Sequence, residues 1–303
     1  MATPATTITS SNNNNTLITT PRLHLIPPDP DSAAHADFIV HLYNTPEFIA
    51  SIGGKPTSIT TRDAARAYIR NRFVAEHARN GYGTYLVVLR LPVPRPGESI
   101  GNHPGPDIGT STGTNTTGGG SEAEAAANAV GGGEDNALSP GAAEAGKIVG
   151  TVSLSRGPPG SGYAAPDLGF AVLPEFCRQG IATEASRGLL AWWSSSSSSR
   201  GSAVQRQEGD KGGANSKGGG GEVVLGLHDP GNLASAAVLK GLGFEKKGLR
   251  RLSFFGGVVG MVWTMRVGGG GGSDGTVSED EVRALGLPGE EEVVAQEGAG
   301  AVV

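Results

Sequence analysis

The stretch FCRQGIATEA, Phe176 to Ala185, leads one Arg, one Gln and one Gly into what reads as the first turns of an amphipathic helix. It follows an apolar run, DLGFAVL, set between Pro166 and Pro174, which has the form of a buried strand. The free N–H groups of Arg178, Gln179, Gly180, Ile181, Ala182 and Thr183 then converge where the helix dipole is positive, which makes a seat for a pyrophosphate. Gly180 lets the backbone approach an anion with no Cβ in the way, and Ala182 keeps the first turn small. Neither the dinucleotide glycine fingerprint nor a P-loop is present, so a phosphate ligand without a reactive γ-phosphate fits better.

Other residues near this stretch have plainer readings. Cys177, at the same helix start, could carry a lowered thiol pKa, but no histidine is expected beside it to make it a nucleophile. Asn232 alone is a helix cap. Met261, Trp263 and Met265 alternate along a strand and read as core packing.

The elements that must position these residues are few. With 50 Gly and 19 Pro in 303 residues, part of the chain is expected to lack a packed core. The head 1–16, the Gly/Ala-rich 92–146, the Ser/Gly-rich 194–221 and the tail 268–303 read as disordered, the tail with at most one frayed helical turn at Ser278 to Leu285. Between head and tail, 17–267 reads as one domain, with 92–146 and 194–221 as loop insertions. Its elements run as a strand over 16–27, a helix over 31–44 capped by Asp31 or Ser32, and a helix over 60–81 with Thr60 and Asp63 in capping-box spacing. Strands follow at 83–91, 146–155 and 167–173, then a helix to Trp193, a strand at 222–227, a helix from Asn232 to Gly243 and two closing strands. That order is a mixed α/β sheet with helices on its faces.

Charge and composition narrow the function classes. A net charge of −5 without a basic run does not favour nucleic acid or an anionic membrane. One cysteine leaves no internal disulfide and no multi-Cys zinc site, and no metal is expected. No apolar run reaches the about 18 residues of a membrane span, and the N-terminus has no leader pattern, so the expected location is the cytosol or nucleus.

Four segments in this order resemble the GNAT acyl-CoA-dependent N-acetyltransferases, in their RimJ/RimL-like branch: TPRLHLIP, DLGFAVLPEFCRQGIATEA, HDPGNLASAAVLKGLGFEKKG and a last strand ending VWTMRV. The resemblance implies a mostly antiparallel, twisted sheet flanked by helices, and acetyl-CoA as cosubstrate. It implies that Arg178, Gln179, Gly180, Ile181, Ala182 and Thr183 wrap the coenzyme A pyrophosphate, that the backbone at Val172 pairs with the pantetheine arm, and that Asn232 and Ser235 lie near the thioester. The family often has Gln or Arg three residues before the motif glycine, where this chain has Cys177.

It also implies direct attack of an amine on the acetyl thioester, with a backbone N–H near Val172 as oxyanion donor. An α-amino group must lose a proton near pKa about 8 and a lysine near about 10.4, so a base matters more for lysine. Asp167, heading the central strand, and His228, ending the next, are the two candidate bases, and each also has a bland reading as a turn or loop residue. The tyrosine that many relatives use to protonate the thiolate is missing from the helix that runs from Asn232 to Gly243, which leaves Ser235 or water. The amine, a protein N-terminus, a lysine or a small molecule, is not legible, nor is the oligomeric state. The rival readings are a non-catalytic acyl-CoA-binding module, a phosphoryl-transfer protein and an interaction scaffold.

Overall fold

The computed structural model describes residues 7–11, 15–90, 146–204, 221–268 and 275–290. Among them, nine strands form one sheet, in the order β1-β2-β3-β4-β5-β6-β7-β9-β8. The strands are β1 (Thr7–Ser11), β2 (Asn15–Thr19), β3 (Leu23–Ile26), β4 (Thr84–Leu89), β5 (Lys147–Ser155), β6 (Asp167–Val172), β7 (Glu222–His228), β8 (Glu245–Leu252) and β9 (Val258–Val267). Every pairing is antiparallel except that of β6 with β7.

Strict alternation sends successive side chains of each strand to opposite faces. On one face Tyr85, Val87, Val152, Leu154, Val224 and Trp263 pack under α5 (Ile181–Val204) and α6 (Leu233–Leu242). On the other, Leu86 and Val88 pack under α1 (Ala33–Tyr43) and α3 (Arg62–Tyr68). The far half of that second face, Leu225, Leu252 and Val262, is covered by Val277, Val282 and Leu287 of the C-terminal segment.

Several expectations are corrected. The single strand over 16–27 is two strands, because Thr20 N–H bonds the Leu23 carbonyl at 2.9 Å with Pro21 second in the turn, where its fixed φ fits. Ser32 is the cap of α1, and Thr61, not Thr60, caps α3 by accepting from Ala64 N–H. The 60–81 helix is interrupted by a π-helical turn, Ile69–Val74, before α4 (Ala75–Asn80), and Gly81 ends it at φ 71°. A short helix, α2 (Pro46–Ser51), has no counterpart in the sequence reading.

Of the stretches read as disordered, 92–145 lies outside the described residues, while parts of the other three are ordered. Thr7–Ser11 pairs along β2 through backbone bonds that need no apolar alternation. The α5 helix continues past Trp193 to Val204, and within it the Ser195 and Ser196 hydroxyls each bond back to the Trp192 carbonyl at 2.8 Å. Residues 275–290 hold α7 (Glu279–Ala284), which has a full capping box between Ser278 and Glu281. No helix among the described residues is long and apolar enough to cross a membrane.

Candidate active site

The site begins where the sheet parts. β7 pairs with β9 over its whole length, Glu222 to His228, but meets β6 only at Asp167 opposite Leu225. Leu225 N–H bonds the Pro166 carbonyl at 2.9 Å, and the next inward-facing amide, Leu227 N–H, bonds the Asp167 side chain at 3.1 Å. A carboxylate thus stands where a parallel ladder would place a strand carbonyl. Beyond it β6 and β7 diverge.

The divergence leaves one edge of β6 open. Leu173 N–H turns toward β5, bonding the Val149 carbonyl at 2.9 Å, so by alternation the amides and carbonyls of Phe170 and Val172 face the gap. A cavity of about 960 Å³ occupies it, at the upper end of ordinary ligand sites. Gly180 to Thr183 line one mouth, Asn232 and Ser235 line the α6 side, and Leu42, Tyr43, Glu47, Phe48, Ser51 and Ile52 line the side under α1 and α2. The cavity therefore reaches both faces of the sheet.

The loop into α5 has the shape of an anion seat. Arg178 stands at φ 62° and Gly180 at φ 76°, two left-handed residues within three, and Glu184 N–H bonds the Gly180 carbonyl to start the helix. A left-handed arginine costs of order 1 kcal/mol, a strain typical of ligand-binding backbone. Glu184, in the first turn, is pushed up by burial but held below the usual carboxylate range by Thr20 and Arg22. Cys177 is exposed, yet burial and the charges of Glu47 and Glu175 raise its thiol, so the helix start does not make it a thiolate.

The expected catalytic residues are only partly brought together. His228 and Ser235 line the cavity, whereas Asp167 lies half-buried where the strands join and is not part of the lining. Burial raises its carboxyl to about 7, partly opposed by the bond from Leu227 N–H. His228 Nε2 accepts from the Trp263 indole at 2.9 Å; since the indole can only donate, Nδ1 carries the proton and gives it to the Asp229 carbonyl at 2.7 Å. Both ring nitrogens are thus engaged, and His228 has no free lone pair to take a proton. Asn232 caps α6 through Ser235 N–H at 3.0 Å, as expected.

The sequence reading missed the wall under α1 and α2. Thr151 and Ser153 project from β5 into it, past the small residues opposite them, Ala171 and Gly169. A Cβ on Gly169 would come within 2.7 Å of Ser153 Oγ, so glycine there keeps the hydroxyl exposed to the cavity. Tyr43 and Phe48 stack above it with ring centroids 4.2 Å apart. The alternate small residues of DLGFAV were the one signal that could have found this wall.

Comparison with known proteins finds a family for the chain. Residues 22–245 match the family model described as acetyltransferase (GNAT) domain. No sequence match is found among curated proteins. Similar solved structures include a GNAT-family acetyltransferase from Bacillus anthracis, 11% identical, covering 82% of this chain and 98% of that one at a TM-score of 0.43. Others are an acetyl transferase from Salmonella typhimurium that modifies the N-terminal serine of ribosomal protein L7/L12 (14%, 82% and 96%, TM-score 0.44) and a ribosomal-protein-S5-alanine acetyltransferase from Vibrio fischeri (14%, 86% and 99%, TM-score 0.43). On the extent of the family match, the chain belongs to the GNAT acetyltransferase family.

Proposed function

We propose that the chain is an acetyl-CoA-dependent N-acetyltransferase of the RimJ/RimL-like branch, moving the acetyl group to a primary amine by direct attack in a ternary complex. The observation that carries this reading is the opened edge of β6 facing a cavity that starts at an anion-shaped helix mouth. In it, Arg178 to Thr183 hold the pyrophosphate through their N–H groups, and the free edge of Phe170 and Val172 pairs with the pantetheine arm as an added strand would. One gap-facing N–H of that edge polarises the thioester carbonyl.

The amine approaches through the α1/α2 side, over Thr151 and Ser153. Asp167 is the general base: its carboxyl at about 7 is matched to neutral pH, and from below the lining it works through one water. Ser235 or water returns a proton to the thiolate. Asn232 orients Ser235 by capping its helix. Screening a panel of N-terminal peptides, lysine peptides and small amines with acetyl-CoA, reading free thiol, tests the reading. Amine-dependent thiol release supports it. Tight acetyl-CoA binding without transfer to any amine would favour a non-catalytic acyl-CoA-binding module.

A further inference from the structure

Arg22 lies far in sequence from the α5 loop and does not line the cavity, yet it touches that loop at several points. The turn at Pro21 aims it there. Its backbone N–H donates to Glu184 Oε1 at 2.8 Å, its Nε to Oε2 at 2.6 Å, and the Thr20 hydroxyl adds a third bond to Oε1 at 2.7 Å. Its Nη1 donates to the Gln179 carbonyl at 3.0 Å. The Gln179 side chain, through Nε2, donates to the Glu175 carbonyl at 2.9 Å and ties the loop there as well.

Two consequences follow for an anion at this helix start. In a trans peptide the N–H points opposite to the C=O, so a Gln179 carbonyl fixed on Arg22 turns the Gly180 N–H away from Arg22. Gly180 lines the cavity and Arg22 does not, so that direction is inward. A carboxylate in the first turn of α5 would also repel a phosphate at the same helix end. Arg22 neutralises that carboxylate and holds it against the strand turn.

We propose that Arg22 is a positioning residue for the pyrophosphate end of coenzyme A, orienting the Gln179–Gly180 peptide and cancelling the charge of Glu184. This rests on the reading of the α5 loop as the donor's phosphate seat. It assigns a task in donor binding to the TPRL turn, outside the phosphate loop itself.

The test compares coenzyme A, titrated by calorimetry, with pantetheine, which lacks the pyrophosphate, followed by ligand-observed NMR. Arg22→Ala is expected to weaken coenzyme A about 10-fold or more, the scale of one lost charge-assisted contact, and to leave pantetheine affinity unchanged. Arg22→Ala with Glu184→Gln should regain part of the loss, because no unpaired carboxylate then faces the ligand. Arg22→Lys, which can neutralise Glu184 but cannot also brace Gln179, should fall between wild type and Arg22→Ala, and it gives the readout if the alanine variant does not fold. Wild-type affinity in Arg22→Ala, or in Arg22→Lys where only that variant folds, would overturn the proposal. So would equal weakening of coenzyme A and pantetheine, the mark of a merely structural arginine. Failure of wild-type protein to bind coenzyme A would overturn the donor-seat reading instead.

Discussion

Asp167 joins a structural bond to the catalytic task proposed for it. It ends the β6–β7 ladder by taking the Leu227 amide, and its burial sets a carboxyl titrating near 7 beside the proposed thioester site. Because the folded-state value, about 7, exceeds the ordinary 3.8, the folded protein keeps a proton that the unfolded chain loses between those values. Stability from this group therefore falls as pH rises from about 4 to about 7 and is level above. Asp167→Asn, which retains an acceptor for Leu227, should remove that slope and raise the thermal midpoint relative to wild type at pH 8 but not at pH 4. The same variant should lose about 100-fold or more in kcat/KM at neutral pH along with the rate limb near 7, while acetyl-CoA affinity is kept. His228→Gln should lose far less, since both imidazole nitrogens are already bonded to Asp229 and Trp263. Equal losses in the two variants would contradict the choice of Asp167.

At the scale of elements, the C-terminal segment has more weight than its composition suggests. Arg250 on β8 is fully buried, and its guanidinium donates to the Glu279 carboxylate at 2.6 and 2.7 Å, to the Pro288 carbonyl at 2.6 Å and to the Lys247 carbonyl at 2.9 Å. Val277, Val282 and Leu287 close the apolar half-face of β7, β8 and β9. Leu287→Ala should therefore cost about 2–5 kcal/mol in denaturant unfolding, as for other fully buried leucines. A loss under about 0.5 kcal/mol would show that the segment is only laid on the surface. The sequence reading gave a frayed turn at Ser278 to Leu285 but not its packing, because Val277, Val282, Leu285 and Leu287 in a Gly- and Glu-rich tail are too short a run to mark a buried face. By contrast, the α5 start, the Asn232 cap and the Gly243 stop were legible, because each depends on backbone chemistry local to a few residues. The wall under α1 and α2 was not, since Tyr43, Glu47, Ser153 and Gly169 meet only through the pairing of distant strands and the seating of α1 and α2. The tautomer of His228 was likewise set by Trp263, 35 positions away.

The described residues form one sheet with a helical layer on each face, opened between β6 and β7, where the proposed reaction brings donor and acceptor together from opposite sides. The long stretch between β4 and β5 joins strands that are directly paired, with Leu89 opposite Lys147. A short connection can therefore span it. Replacing 95–144 with a short Gly/Ser linker should leave the thermal midpoint and the thiol-release rate nearly unchanged, because closure entropy varies slowly with loop length. Cooperative loss of the folded state would show that the stretch contributes to the core, and loss of activity alone would assign it to the acceptor.

In the proposed reaction acetyl-CoA lies in the gap between β6 and β7 with its pyrophosphate at Gly180. Calorimetric titration of acetyl-CoA into wild-type protein and into Gly180→Glu tests it most directly. The variant adds a carboxylate to the loop whose N–H groups form the seat, its Cβ 3.4 Å from Arg22 Nη2, at a cost of order 1 kcal/mol for a side chain at φ 76°. The seat predicts saturable binding to wild type and no measurable binding to a variant whose circular dichroism and cooperative melting show it folded. A folded Gly180→Glu protein that binds acetyl-CoA as wild type does would contradict the account.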